Sequence, residues 1–265
     1  MCALSAEEWR DLAAAIVALK RNTAVAPNLF DSLAAVHTGT AIGNAHFGPN
    51  FLGWHRIYLY YYEIALRRIN PRVALCYWDS TLDFSMDSPE RSVMFSSEYF
   101  GNGNGVVLEG PFRDWILPNR QPEQRLRRQI NEVGSLMVYD GVREILTDPQ
   151  LIRTANVSVG GIAPIQRTIE GLHNNVHVWV GQIMSGVDTA PQDPVFYFHH
   201  CYIDYFWERY REKQLASGID PQFDYPRDMG GNAHLPGAPM AVFRWVNNER
   251  GFMNAFTRYL FRYAD

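Results

Sequence analysis

Apolar residues recur at helical spacing in several segments of the chain and predict a mainly helical protein. Ser5 followed three residues later by Glu8 is a capping-box pattern, which indicates a helix that extends to about Lys20. Asp193 and Pro194 indicate another helix start, because Asp accepts hydrogen bonds from first-turn amides and Pro has no N–H to satisfy. The four long predicted helices cover residues 5–20, 54–69, 165–180 and 193–218.

The helix predicted at residues 54–69 is apolar on nearly every face, so we expect it to be central and buried. Residues 39–53 are rich in Gly, Asn and Pro and predict a loop. Residues 80–125 are expected to be irregular. Arg125, Arg127 and Arg128 are expected on the solvated face of a short helix. The shorter predicted helices are 29–37, 125–134 and 140–146, and a last ordered piece is expected at 252–263.

Composition narrows the class of protein. The 265 residues are 47% hydrophobic and carry a net charge of −4, which fits a globular chain with a substantial core. The chain has no basic stripe, so nucleic acid is not an expected partner. It has no run of 18 apolar residues, so no membrane span is expected. The apolar N-terminal run lacks the basic leader of a signal peptide, and the compartment and oligomeric state are left open.

The three cysteines, Cys2, Cys76 and Cys201, form no CxxC motif and no dense framework. Cys76 and Cys201 lie in apolar segments and are expected to be buried thiols. A single disulfide is left open as the alternative.

Seven of the eight histidines fall in two groups. His173 and His177 are four residues apart on a predicted helix, so they share one face and can chelate one metal. His199 and His200 point about 100° apart on the next helix, so only one of them can join that metal, and periodicity does not choose between them. The other group is His37, His46 and His55, at nine-residue intervals. His234 lies in a loop segment and is expected at the surface.

The composition of these groups favours copper. Neutral imidazole is a preferred ligand of copper and also suits zinc, iron and nickel. Two three-histidine sites without cysteine or carboxylate ligands suggest a pair of copper ions that meets dioxygen. Zinc is the competing metal, but the chain has no HExxH motif with its general-base carboxylate.

Three long motifs carry a resemblance to a known family. They are FLGWHRIYLYYYEIALRR at 51–68, ALCYWDST at 74–81 and HNNVHVWVGQIMSGVDTAPQDPVFYFHHCYIDYFWERYRE at 173–212, with GPFRDW and IDPQFDYP in support. Together they resemble the type 3 dicopper family of tyrosinases, catechol oxidases and molluscan-type haemocyanin units. Within that family, they are similar to animal tyrosinases. The resemblance implies a mainly α fold, with a central four-helix bundle around a dicopper site and long surrounding loops. It implies one such domain over residues 1–265.

The resemblance also implies a ligand set for two copper ions. One ion is expected on His37, His46 and His55, and the other on His173, His177 and His200. This choice leaves His199 in a structural position beside the metal. Relatives often join the second histidine of the first site to a cysteine two residues before it. Here that place is taken by Asn44, so no thioether bond to His46 is expected.

Further site residues are implied only by the resemblance. Glu170 and Asn174 are expected to hold a water that takes the proton from a phenol. Phe196 is expected to pack beside the second copper, Val187 to line the substrate entrance, and Val178 to tune substrate preference.

The activity implied is the oxidation of a small phenol by dioxygen. It comprises ortho-hydroxylation of monophenols and oxidation of o-diphenols to o-quinones. Two alternatives stay open, a catechol oxidase without hydroxylation and a haemocyanin-like oxygen-binding protein. Secretion is suggested by the resemblance alone.

Overall fold

Helices dominate the architecture. The computed structural model describes residues 4–118, 124–152, 168–227 and 231–263. Within these residues the helices are α1 (Ala6–Arg21), α2 (Leu29–Ala35), α3 (Ile42–Ala45), α4 (Asn50–Ile69), α5 (Ser80–Phe84), α6 (Tyr139–Thr147), α7 (Pro149–Ile152), α8 (Ile169–Val180) and α9 (Val195–Ala216). Two short strands, β1 (Asn104–Val106) and β2 (Arg127–Gln129), pair with each other. The prediction of a mainly α fold is confirmed.

The chain divides into two compact units, each assembled from separate stretches. The first unit comprises Met1–Gly39, Leu59–Met137 and Asn174–Tyr202. The second unit comprises Thr40–Tyr58, Val138–His173 and Ile203–Asp265. The borders fall inside α4, α8 and α9, so each of these three helices contributes residues to both units.

The long helices form where the sequence predicts them. The capping box of α1 is present, because Ser5 Oγ accepts from the Glu8 amide and Glu8 accepts from the Ser5 amide. Helix α4 begins at Asn50, four residues earlier than predicted, and α9 ends at Ala216. Residues 165–167 of the predicted third helix lie outside the described residues.

The stretch 39–53 is more ordered than the predicted loop. It contains a 3₁₀ turn at Gly39–Ala41, the short helix α3 and the first turn of α4. Further along the chain, the ordered piece predicted at 252–263 consists of a 3₁₀ turn at Asn248–Phe252 and a π-helical turn at Phe256–Leu260.

The helix predicted at 125–134 is wrong. Residues of that stretch form β2, which pairs antiparallel with β1 in the register Asn104↔Gln129 and Val106↔Arg127. Gly105 has a φ of +77°, a backbone conformation that side chains with a Cβ rarely adopt. A three-residue strand has too few positions to show a period of two in the sequence. The extended conformation of β2 depends instead on its pairing with β1, more than 20 residues earlier in the chain.

Arg128 is buried, contrary to the prediction of a solvated helix face. Its guanidinium makes two hydrogen bonds to Asp193, at 2.7 and 2.8 Å, and a third to the Phe100 carbonyl at 2.8 Å. Both charged side chains are fully buried. Asp193 also accepts from the Val195 amide, so this ion pair is joined to the start of α9 in the first unit.

The core of each unit is rich in aromatic side chains. In the first unit the Tyr62 and Tyr197 rings stack with centroids 3.6 Å apart. In the second unit the buried Arg56 guanidinium lies 4.0 Å from the centre of the Trp207 ring and pairs with Asp204 at 2.7 Å. In each unit, these contacts join residues of α4 to residues of α9. Among the described residues, no helix combines the length and the apolar character needed to cross a membrane.

The cysteine predictions had mixed outcomes. Cys201 is a buried thiol, as predicted. Cys76 is disulfide-bonded, so the prediction of a thiol there is wrong, and the single disulfide left open by the sequence is present. Disulfide formation requires Cα atoms within about 7 Å of each other, and sequence spacing does not report that distance.

Candidate metal centre

The first unit contains four of the predicted histidines, His37, His177, His199 and His200. The Nε2 atoms of His177 and His200 lie 3.1 Å apart. His177 Nδ1 is 3.0 Å from the Met184 carbonyl, which fixes the orientation of its ring. The rings of His199 and His200 lie at similar centroid distances from His177, 5.0 and 5.3 Å.

Phe196 packs against the histidines of this unit. Its ring stacks on His200 at 4.0 Å between centroids and meets His37 edge-on at 5.2 Å. It is completely buried and lies one helical turn before His200 on α9. Phe196 therefore lies beside His200, one of the second group of histidines, and its ring covers one side of that imidazole.

The second unit contains the other three predicted histidines, His46, His55 and His173. The ring centroids of His46 and His55 are 5.0 Å apart, and those of His55 and His173 are 6.4 Å apart. Phe51 contacts both His55 and His173, at 4.7 and 4.9 Å. All three histidines are at most 4% exposed.

Backbone carbonyls set the tautomers of these rings. His46 Nδ1 lies 3.2 Å from the Ile42 carbonyl, and His55 Nδ1 lies 2.7 Å from the Phe51 carbonyl. A carbonyl oxygen only accepts, so Nδ1 carries the proton and Nε2 keeps its lone pair for a metal. His177 is oriented in the same way by Met184.

Each unit groups buried imidazoles, which are possible metal ligands. The first unit contains His37, His177, His199 and His200, and the second contains His46, His55 and His173. All seven are at most 9% exposed. Burial lowers the pKa of His46 to about 4, so this ring is in the neutral form that metals bind.

His200 approaches His177 closely, because their Nε2 atoms lie 3.1 Å apart. Two nitrogens that bind one metal at about 2.0 Å, the distance known for zinc, cannot be farther apart than about 4 Å. The distance between the His177 and His200 Nε2 atoms is within this limit.

Glu170 is a buried carboxyl in the first turn of α8. Its Oε1 accepts a hydrogen bond of 2.8 Å from the Phe47 amide, which directly follows His46. Burial raises the pKa of Glu170 to about 8, and the hydrogen bond from Phe47 opposes that rise. Phe47 has a φ of +62° and a largely exposed side chain, so its amide points inward while its ring points to solvent.

The remaining predicted residues lie on or near the same helix. Asn174 and Val178 are half-buried residues of α8, next to His173 and His177 in sequence. Val187 lies between α8 and α9 and is 38% exposed, which is compatible with a place at an entrance. Their predicted contacts with a substrate stay predictions.

His234 is buried, so its prediction as a surface histidine is wrong. It is 3% exposed, its backbone carbonyl accepts from the Tyr225 hydroxyl at 2.8 Å, and its Nδ1 lies 3.5 Å from the Asn50 amide. A Cβ added to Gly48 would lie 2.4 Å from the His234 ring. The Gly/Asn/Pro-rich segment around His234 predicted an exposed side chain. The side chain is buried because it packs against Gly48 and Asn50.

Comparison with known proteins agrees with this geometry. Residues 27–213 match the model of the common central domain of tyrosinase. Tyrosinase-like protein 2 of Margaritifera margaritifera is 44% identical over 99% of this chain and 60% of its own length. The tyrosinase of Streptomyces glaucescens is 31% identical over 84% of this chain and 85% of its own length.

Solved structures show the same fold. The tyrosinase of Burkholderia thailandensis matches 98% of this chain and 70% of its own, with a TM-score of 0.70 and 18% identity. A functional unit of octopus hemocyanin matches 99% of this chain and 66% of its own, with a TM-score of 0.63 and 18% identity. The chain spans about 60% of the length of the Margaritifera margaritifera relative described above. Because residues 27–213 match the common central domain of tyrosinase and the relatives above are tyrosinases or tyrosinase-like, this chain belongs to the tyrosinase family of type 3 copper proteins.

Proposed function

We propose that this protein oxidises small phenols with dioxygen at a pair of copper ions. The proposed reactions are ortho-hydroxylation of monophenols and oxidation of o-diphenols to o-quinones. The observation that carries the proposal is the group of buried imidazoles in each unit, His37, His177, His199 and His200 in the first and His46, His55 and His173 in the second. Such a donor set suits copper, and family membership supports an oxidase.

The ligands proposed for the first copper are His37, His46 and His55. Those proposed for the second are His173, His177 and His200. When bound, the two copper ions take up dioxygen and supply the electrons that reduce it. Carbonyl partners on Nδ1 of His46, His55 and His177 hold each ring so that Nε2 faces the metal.

His200 is preferred to His199 because of its approach to His177. Their Nε2 atoms lie 3.1 Å apart, so one metal ion could bind both imidazoles. Phe196 stacks on His200 and thereby restricts the rotation of its ring.

The proposed substrate pocket is bounded by aromatic and apolar side chains. Phe196 excludes water from one side of the histidines, and a phenol ring can pack against a wall of this kind. Val187 is assigned to the entrance, since it is partly exposed, and Val178 to the substrate-facing side of α8. Short side chains at both places leave room for an aromatic ring.

Glu170 and Asn174 are assigned to a water molecule that accepts the phenolic proton. Glu170 Oε1 is bound to the Phe47 amide, so we assign the other oxygen, Oε2, to the water. Glu170 and His173 are neighbours on one face of α8, since they are three residues apart. Positive charge on the bound metals favours the ionised carboxylate, which is the form that accepts a hydrogen bond from water.

Glu170→Gln is expected to slow monophenol hydroxylation at least about tenfold more than o-diphenol oxidation, since a positioned general base contributes about 10²–10⁴-fold. The measurement compares kcat/KM for a monophenol and its catechol. Glu63→Gln is the matched control. Glu63 is also a helical carboxyl whose pKa is raised by burial, and it also accepts a hydrogen bond from one backbone amide, that of Leu75. Equal losses in both reactions of Glu170→Gln would contradict the water-holding role.

The experiment that tests the function is a copper titration followed by oxygen uptake. The expected result is two copper ions per chain and oxygen consumption with both a monophenol and its catechol. Uptake with the catechol alone would identify a catechol oxidase. Reversible oxygen binding without turnover would identify a carrier of haemocyanin type. Failure to bind two copper ions would overturn the proposal.

A further inference from the structure

We propose that Asn44 is a positioning residue for the proposed copper ligands His46 and His55, an inference that rests on the function proposed above. Asn44 lies in α3, two residues before His46, and is 5% exposed. Its side chain joins two stretches of the second unit, Thr40–Tyr58 and Ile203–Asp265. No motif in the sequence assigns it this role.

The Asn44 amide uses both its donor and its acceptor groups. Its Nδ2 donates to the Ala233 carbonyl and, at 3.2 Å, to Asn248 Oδ1. Its Oδ1 accepts from Asn50 Nδ2 at 2.9 Å and from the Ala241 amide at 2.8 Å. Only a primary amide supplies two donors and an acceptor in one short side chain, so neither a carboxylate nor a thiol could replace it here.

The partners of Asn44 are themselves fixed. Asn50 and Asn248 are completely buried. Asn248 Nδ2 donates to the carbonyls of Ala233 and Leu235, each at 2.9 Å. Asn50 Nδ2 also donates to the Asn44 backbone carbonyl at 3.2 Å. The three asparagines therefore form one buried network, which we call the asparagine cluster (Asn44, Asn50 and Asn248).

The cluster acts on the two histidines through short segments of chain. His46 is held mainly by α3, because both its amide and its Nδ1 bond to the Ile42 carbonyl, at 3.1 and 3.2 Å. A four-residue helix has no stability of its own, so the place of α3 depends on tertiary contacts. Asn44 supplies such contacts. Asn50 opens α4 five residues before His55, so the same cluster also fixes the start of the helix that carries His55.

The test compares Asn44→Asp and Asn44→Ala with the wild-type chain. Asn44→Asp keeps the shape and the acceptor but loses both donors. We expect at least about tenfold weaker affinity for one of the two copper ions, in line with losses seen when groups that orient metal ligands are removed. The other copper ion should keep its affinity. Competition with a chelator measures both affinities, and an electron paramagnetic resonance signal from isolated Cu(II) should mark the chains left with one ion.

Asn254→Ala is the matched control. Asn254 also lies in the C-terminal part of the second unit and bonds to Arg211 and Asp220, neither of which adjoins a histidine ligand. It is expected to lower the urea midpoint of unfolding and to keep both copper affinities. If Asn254→Ala weakens one copper ion as much as the Asn44 variants do, the Asn44 effect is general destabilisation and the inference is wrong.

A second measurement uses the metal-free protein. Hydrogen exchange of backbone amides in residues 42–55 is expected to rise at least about tenfold in Asn44→Ala, with no such rise in Asn254→Ala. Unchanged exchange there would overturn the positioning role even if the wild-type chain binds two copper ions. If the wild-type chain binds no copper, the proposed function fails, and the exchange result still decides whether Asn44 orders the segment that carries His46 and His55.

Discussion

Replacement of His177 by alanine is expected to leave one copper ion per chain and to abolish oxygen uptake with both monophenols and catechols. His177 is buried, and its Nδ1 is bound to the Met184 carbonyl, so its Nε2 is oriented for a metal. Loss of one of three imidazole ligands leaves the second copper with two. Because both reactions need the pair of copper ions, both activities are expected to disappear together.

Copper analysis after gel filtration, with oxygen uptake on both substrates, measures this result. Val176→Ala is the control, since Val176 is a fully buried neighbour of His177 on α8 and is no ligand. It should keep two copper ions. His200→Gln is expected to behave like His177→Ala, whereas His199→Gln should retain both metals. Full activity of His177→Ala with one copper per chain would exclude the dicopper proposal.

Replacement of Arg128 by methionine is expected to lower the free energy of unfolding by about 3–5 kcal/mol, the cost of breaking a buried ion pair. The change removes two hydrogen bonds from Asp193 and one from the Phe100 carbonyl. Asp193 would then be a buried carboxylate without its cation. Since Asp193 also accepts from the Val195 amide, the start of α9 should become less protected from hydrogen exchange.

Urea unfolding of the metal-free protein measures the loss. Arg127→Met is the matched control, because Arg127 is the exposed neighbour of Arg128 on β2 and should change stability by no more than about 0.5 kcal/mol. The double variant Arg128→Met/Asp193→Leu removes both charges and should recover part of the loss. A loss below about 1 kcal/mol in Arg128→Met would show that the pair contributes little to stability.

The long helices could be predicted because their signals are local. The capping box at Ser5 and Glu8 and the Asp193-Pro194 start depend on residues within one turn of each other. The spacing of His173 and His177 is equally local, since any helix places them on one face. The ligand set His37, His46 and His55 and the choice of His200 over His199 came from the family resemblance instead, and both stay predictions.

Residues whose role depends on distant partners were missed. His234 was predicted at the surface and is buried against Gly48 and Asn50, more than 180 residues away in sequence. Arg128 was predicted on a solvated helix and is buried with Asp193, 65 residues away. A cation on a short polar stretch has the same sequence signature whether it faces water or a buried carboxylate.

The sequence by itself determined the helical class and the placing of His173 and His177 on one helix face, because helical periodicity acts over a few residues, and its long motifs indicated the family. The tertiary structure decided the orientation of each ring, the close approach of His177 to His200, and the asparagine cluster behind His46. It also decided that Glu170 is buried against the Phe47 amide. These features depend on contacts between stretches remote in sequence, and a hydrogen bond exists only where folding brings its donor and acceptor within about 3 Å of each other.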